Sequence, residues 1–332
     1  MREMMTKYIM YGAGAVGGVI GGRLARGGFE VVLIARGAHY RAIEASGLSL
    51  DGPDGSITLD IPVVDRPEKA VIGERDVVFL TMKSQDTRAA IADLSSCVSP
   101  DVTVVCAQNG LDNERTALRN FDHVEGALVY MPARYLEAGV VAYSSGPVPG
   151  VIDLGSARGG ADDVAQNTAA DLRAAGFSSV VREDIWPWKR RKLLSNLGNV
   201  AAALVEDVAY ARDLATLARA EGEACFRAAG MEVTSSEAFW QRMADFRAQA
   251  IDGRLHAQSS SWQSLARQAG SIETDFLNGE AVLLGRLYGI STPVNALLQR
   301  LANEQARTKV TPGGVSVEQL SELLREIQGK EG

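Results

Sequence analysis

Gly12-Ala13-Gly14-Ala15-Val16-Gly17 follows the apolar run Tyr8 to Tyr11 and opens a stretch of small residues reaching about Ala25. In that strand, turn and helix setting, the spacing is the signature of a dinucleotide pyrophosphate site. Gly12 permits the tight turn, Gly14 lets the backbone approach the phosphates, and Gly17 lets the helix pack on the strand. Ala13, Ala15 and Val16 complete a turn whose helix N-terminus turns its N–H groups to the anion. A second run, Val31 to Ala35, leads into Arg36, where an NAD enzyme places Asp or Glu on the ribose 2′-hydroxyl. Arginine there suits a 2′-phosphate, so NADPH/NADP+ is the expected cofactor. Taken alone, Arg36 also reads as a solvated loop charge.

The other polar candidates are ordinary on local grounds. Lys192 stands beside Lys189, Arg190 and Arg191, which reads as a solvated basic helix start. Asn196 lies four residues on, so both project from one helix face. Glu273 fits favourable charge in a first helical turn, and Asn109 before Gly110 fits a turn. Lys83 reads as a helix-entry lysine, and Ser259 to Ser261 as an N-cap ahead of Trp262. His39 and Tyr40 read as loop or packing residues. Cys97, Cys106 and Cys225 form no CxxC and read as free thiols, while His39, His123 and His256 lie apart, so no metal site is expected.

The elements that must carry these groups divide the chain in two. Short β-branched runs at Tyr8 to Tyr11, Val31 to Ile34, Val77 to Thr81 and Val102 to Cys106 alternate with helical segments and predict a parallel α/β sheet. Later runs, Gly126 to Tyr130, Val140 to Tyr143, Val151 to Leu154 and Ser179 to Val181, are closer together and predict antiparallel strands extending that sheet. Beyond Pro187 apolar residues recur at helical spacing in Lys192 to Val205, Ala211 to Ala229, Ser236 to Ile251, Ile272 to Leu287, Val294 to Lys309 and Val317 to Ile327. The expected fold is an α/β Rossmann-type domain, residues 1–185, followed by an all-α domain, residues 186–332.

Among 332 residues there are 34 Lys and Arg against 41 Asp and Glu, a formal net charge of −7. Such a chain lacks the clustered positive charge that nucleic-acid binding requires. The glycine-crowded run from Tyr8 to Gly22 lacks a signal-peptide cleavage pattern, and no uncharged apolar stretch of about 18 residues offers a spanning helix. A soluble, cytoplasmic enzyme is expected, with neither nucleic acid nor membrane as partner.

Five further segments carry a resemblance. They are Leu80 to Gln85, Ala107-Gln108-Asn109-Gly110, Lys192-Leu193-Leu194-Ser195-Asn196, Ile272 to Gly279 and Gly289 to Asn295. In this order, over about residues 7 to 308, the chain resembles the ketopantoate reductases (2-dehydropantoate 2-reductases). The resemblance implies a helical domain like that of 6-phosphogluconate dehydrogenase and NADPH-dependent reduction of a 2-keto acid to a 2-hydroxy acid, foremost 2-dehydropantoate to pantoate. It implies Lys192 and Glu273 as catalytic residues and Lys83 and Asn109 as cofactor contacts. It also implies Asn109, Asn196, Ser260 and Ser261 as substrate contacts. A homodimer is an assembly open to such a chain.

The chain departs from the family pattern at two places. Val200 and Ala201 replace a usual Asn-Pro pair, with Asn199 one residue early, and Arg190 replaces a tryptophan, with Trp188 preceding it. An apolar Val200 predicts weaker selection for a substrate hydroxyl. Alternatives are a reductase of another keto acid or imine, and an NADP(H)-binding sensor without turnover. Retention of Lys192 with Glu273 argues against the sensor.

Overall fold

The computed structural model describes residues 6–251 and 259–328, so His256 lies outside the described residues. They form two compact units. The first comprises residues 6–108, 112–186 and 236–251, and the second residues 109–111, 187–235 and 259–328.

The first unit is built on strands β1 (Lys7–Tyr11), β2 (Glu30–Ile34), β3 (Leu48–Gly52), β4 (Gly55–Leu59), β5 (Val63–Val64) and β6 (Val77–Leu80). It continues through β7 (Thr103–Cys106), β8 (His123–Tyr130), β9 (Ala133–Glu137), β10 (Val140–Tyr143), β11 (Ser145–Pro147), β12 (Val151–Ser156) and β13 (Phe246–Ala248). Seven strands make the main sheet in the order β12-β8-β7-β6-β1-β2-β5. All pairings are parallel except β12 on β8. Side chains alternate across this sheet, so each strand feeds two cores. Tyr8, Met10, Leu33 and Phe79 enter one core with Val19, Ile20 and Leu24 of the helix Ala15–Arg26. Ile9, Tyr11, Ile34, Val78 and Leu80 enter the other with Ala90, Ile91 and Leu94 of the helix Thr87–Ser95. Burial on both faces explains why these strands read as continuous apolar runs.

The later strands depart from expectation. β12 extends the main sheet as an antiparallel edge, but β10 joins a separate sheet ordered β4-β3-β10-β9. Its β3–β4 hairpin, turning over Gly52 to Gly55, carries an Asp-Gly signal that the search for β-branched runs passed over. Ser179 to Val181 forms no strand. In its place there are isolated bridges from Val151 to Ser178 and from Leu154 to Val181.

The segment expected as a helix from Ser236 to Ile251 changes character midway. A helix covers Ser236–Arg242, a 3-10 turn covers Met243–Asp245, and β13 pairs antiparallel with β11. Tyr130 receives Phe239, Trp240 and Phe246 edge-on at ring centroid distances of 6.1, 5.9 and 5.3 Å. This aromatic cluster and the strand pairing place residues 236–251 with the first unit, although sequence periodicity assigned them to a contiguous domain 186–332.

The second unit is helical. Lys192 to Val205, expected as one helix, is two: Trp186–Asn196 and Ala201–Leu204. The elbow is compatible with Gly198, where an added Cβ would strike the Cβ of Ala215. The helix Val208–Ala228 packs against Asn278–Tyr288 and Pro293–Thr308, and Val317–Gln328 follows. Among the described residues no helix is long and apolar enough to cross a membrane.

Candidate active site

Within the first unit, the glycine turn expected to bind nucleotide lies where β1 and β6 end, the point at which strand order reverses and doubly wound sheets open a crevice. Gly12 has φ +106°, and a Cβ there would meet the backbone of Met82. A Cβ at Gly17 would collide with the Gly12 carbonyl and the Thr81 hydroxyl, whereas one at Gly14 would meet nothing within 4 Å. The glycines therefore divide their work between close packing and open space for a ligand. The helix Ala15–Arg26 begins with no side-chain cap and no acidic residue in its first turn, which suits an anion at its N-terminus.

Two side chains brace this turn. Thr81 Oγ1 lies 3.0 Å from the Tyr11 carbonyl and 2.7 Å from that of Gly12, tying the ends of β6 and β1 together. His39, buried, donates from Nε2 to the Ala13 carbonyl at 2.6 Å and accepts at Nδ1 from the Gly139 N–H at 2.9 Å. With one nitrogen donating and the other accepting, the ring is neutral, and burial lowers its pKa from the usual histidine value. The expected packing residue is thus a strut under the glycine turn.

Arg36 follows β2 with its side chain 62% exposed, donating from Nη2 to the Tyr11 hydroxyl at 3.2 Å and to Asp93 at 3.1 Å. Lys83 follows β6, extended and part-buried, at the entry to the 3-10 turn Ser84–Asp86.

The residues expected on the catalytic and substrate side, Asn109, Lys192, Asn196, Ser260, Ser261 and Glu273, all fall in the second unit. Desolvation lowers the Lys192 pKa from 10.5 to about 8. The neighbouring basic residues are not the solvated cluster the sequence suggested. Lys189 is buried, Arg190 donates to the Glu232 carbonyl at 2.8 Å, and Arg191 donates to the Thr234 carbonyl at 2.6 Å while pairing Glu223 at 3.0 Å.

Three amides form a relay beyond the lysine. Asn199 Nδ2 donates to Asn196 Oδ1 at 3.3 Å, and Asn196 Nδ2 donates to Asn109 Oδ1 at 3.0 Å. Each bond fixes which end of the amide is donor. Ser259, the N-cap, accepts from the Trp262 N–H at 3.2 Å and donates to the Asn199 carbonyl at 3.3 Å. Ser260 is part-exposed and Ser261 buried in the first turn of that helix. Glu273 is buried at the start of the 3-10 turn Glu273–Phe276. Val200 is fully buried, so the position where the family resemblance leads one to expect an asparagine is a core position.

Two motifs singled out in the sequence are braces for the elbow. Asn278 Nδ2 donates to the Leu197 carbonyl and to Asn295 Oδ1, each at 3.0 Å. Asn295 Nδ2 donates to Glu221 at 2.7 Å, and Glu221 also receives the N–H groups of Val294 and Asn295 at 2.9 Å. Buried Asn278 and Asn295, with part-buried Glu221, form a bonded group that holds the backbone between Asn196 and Asn199. Sequence reasoning missed Thr81, Asn199 as a relay member, and Glu221. Only the spacing of Asn196 and Asn199, three apart near a helix end, gave any signal.

Residues 8–159 match the family model described as ketopantoate reductase PanE/ApbA, and residues 184–306 match that of its C-terminal region. The chain belongs to the ketopantoate reductase family. As a member of this family it is an oxidoreductase. It is 26% identical over 321 residues to the 2-dehydropantoate 2-reductase of Pyrococcus horikoshii, covering 94% of this chain and 100% of the relative. It is 28% identical over 337 residues to that of Mesorhizobium japonicum, covering 90% and 98%. A crystal structure of a PanE/ApbA family ketopantoate reductase from Ralstonia eutropha JMP134 matches with TM-score 0.75 at 28% identity, over 92% of this chain and 99% of that one. The fold is also that of D-mandelate dehydrogenase in ternary structure with NADH and anilino(oxo)acetate, with TM-score 0.74 at 19% identity over 92% and 99%.

Proposed function

We propose that the protein reduces a 2-oxo acid to a 2-hydroxy acid with NADPH, 2-dehydropantoate being the first substrate to test. The observation that carries this reading is Lys192, desolvated to a pKa of about 8, on the helix whose Asn196 donates a hydrogen bond from its side-chain amide to Asn109 Oδ1. The open space at Gly14, the uncapped helix start and the bracing of Ala13 by His39 fit a dinucleotide pyrophosphate, with Arg36 the residue that would take a 2′-phosphate. Lys83, after β6, would contact the same nucleotide.

Bound NADPH supplies the hydride to the substrate carbonyl carbon. As negative charge develops on the carbonyl oxygen, Lys192 stabilises it and gives up a proton from Nζ, leaving a neutral amine and an alcohol. A lysine of ordinary pKa near 10.4 would be a weaker acid, and a value near 8 keeps it protonated at neutral pH yet ready to donate. The Asn199–Asn196–Asn109 relay commits the Asn109 oxygen as acceptor and holds Asn196 in one amide orientation on the helix that carries Lys192. Buried Glu273 and the serines at the head of the helix Ser260–Ala266 complete the set of substrate-side groups.

The test is NADPH oxidation, followed at 340 nm, by the purified protein with a panel of 2-oxo acids and cyclic imines. Turnover of 2-oxo acids is expected. NADPH binding without turnover of any member would reject the reading in favour of a nucleotide sensor, and turnover of imines alone would change the substrate class.

A further inference from the structure

The second unit contains a cavity of about 900 Å³ whose walls include Ser195, Asn199, Ala202, Trp262 and Ala266. Such a volume suits a drug-sized molecule and greatly exceeds what a small branched acid such as 2-dehydropantoate fills. The lining is mainly apolar. Small side chains make the room, and the Trp262 ring provides a flat wall. Glu206, Arg212 and Arg219 also line it and are exposed, as are Ala202, Val208 and Thr311, so the cavity is open to solvent and the charged stems can cover apolar surface while their charges stay in water.

Two links join this cavity to the substrate-side groups. Asn199 is both a wall of the cavity and the first amide of the relay to Asn196 and Asn109. Trp262 and Ala266, spaced i and i+4, lie on the helix headed by Ser260 and Ser261, whose cap Ser259 bonds the Asn199 carbonyl. Ser195 follows Lys192 by one helical turn. A substrate whose carbonyl meets Lys192 would therefore have its substituent led past Asn199 into the cavity.

We infer that this cavity is the substituent pocket of the active site, and that the substrate class is 2-oxo acids with a bulky, mainly apolar side chain. The inference rests on the reductase reading and deepens it. Burying an aromatic ring makes such a substituent count in transition-state binding, whereas a methyl group leaves the pocket wet.

Phenylpyruvate, pyruvate and 2-dehydropantoate are the probes. The expected kcat/KM for phenylpyruvate exceeds that for pyruvate at least about a hundredfold. Ala202→Phe and Ala266→Phe, which fill the cavity from different walls, should each cut the phenylpyruvate-to-pyruvate ratio at least tenfold, folding being checked by thermal unfolding. A wild-type ratio near one, or a ratio unchanged in the folded variants, overturns the inference. If no 2-oxo acid is reduced, the reductase reading falls separately, and calorimetry decides the pocket. Phenylpyruvate binding lost in the filled variants would support a pocket for such acids, and binding absent or unaffected by filling would overturn it.

Discussion

Asp153 and Arg242, 89 residues apart, close a fork of two bonds, with Nη2 2.6 Å from Oδ1 and Nε 3.1 Å from Oδ2. Asp153 has no exposed surface and also takes Arg182 Nη2 at 2.7 Å, so one buried carboxylate answers two guanidinium groups. The pair fastens the end of the helix Ser236–Arg242 to β12 within the first unit.

Asp153→Ala removes the buried carboxylate that both guanidinium groups share. Breaking a buried pair from one side costs about 3 to 5 kcal/mol. Denaturant unfolding should show a loss of that size, and a loss below about 1 kcal/mol would mean that the carboxylate does not anchor the segment.

Arg36→Ala should weaken NADPH by about ten to a hundredfold and NADH little, since one charge-assisted contact contributes roughly 1.5 to 3 kcal/mol. Asp93 competes for this guanidinium, but an exposed pair contributes only about 0 to 1 kcal/mol. Asp93→Ala should accordingly change NADPH affinity less than about fivefold. Fluorescence titration with both cofactors checks this, and equal losses for NADPH and NADH in Arg36→Ala would remove its phosphate role.

Lys192→Ala should lower turnover at least about a hundredfold, the low end for a general acid, while NADPH still binds. In the wild type, Lys192 loses its proton as pH rises through about 8, so the reduction rate should fall above that pH. A rate profile flat from pH 7 to 10 would show that this lysine is not the donor.

Val200→Asn should destabilise the protein by about 1 to 3 kcal/mol, because a fully buried site then receives a polar group with no partner arranged for it. It should not sharpen selection for a substrate hydroxyl. Asn199→Ala, which removes the donor to Asn196 Oδ1, should instead lower kcat/KM by about tenfold, equivalent to one hydrogen bond of about 1 to 1.5 kcal/mol. Thermal melts and steady-state kinetics on both variants separate these effects.

The glycine turn after β1, the Arg36 position and most of the helical second unit were legible in the amino-acid order, because each depends on contacts a few residues apart. Turn chemistry, helix starts and a period of 3.6 or 2 are local properties. The resemblance supplied Lys192, Asn196 and Glu273, which spacing alone would have read as a basic helix start, a cap and first-turn charge. Tertiary structure decided the rest. It cut the helix after Asn196 at an elbow clamped by Asn278 through the Leu197 carbonyl, buried Val200, and brought Asn199 against Asn196. It also returned residues 236–251 to the first unit through Asp153 and β11, against a helical pattern that continued past Arg242. In each case the deciding partner lies far away in sequence, and no local preference encodes which distant carboxylate, carbonyl or strand edge a side chain or backbone will meet.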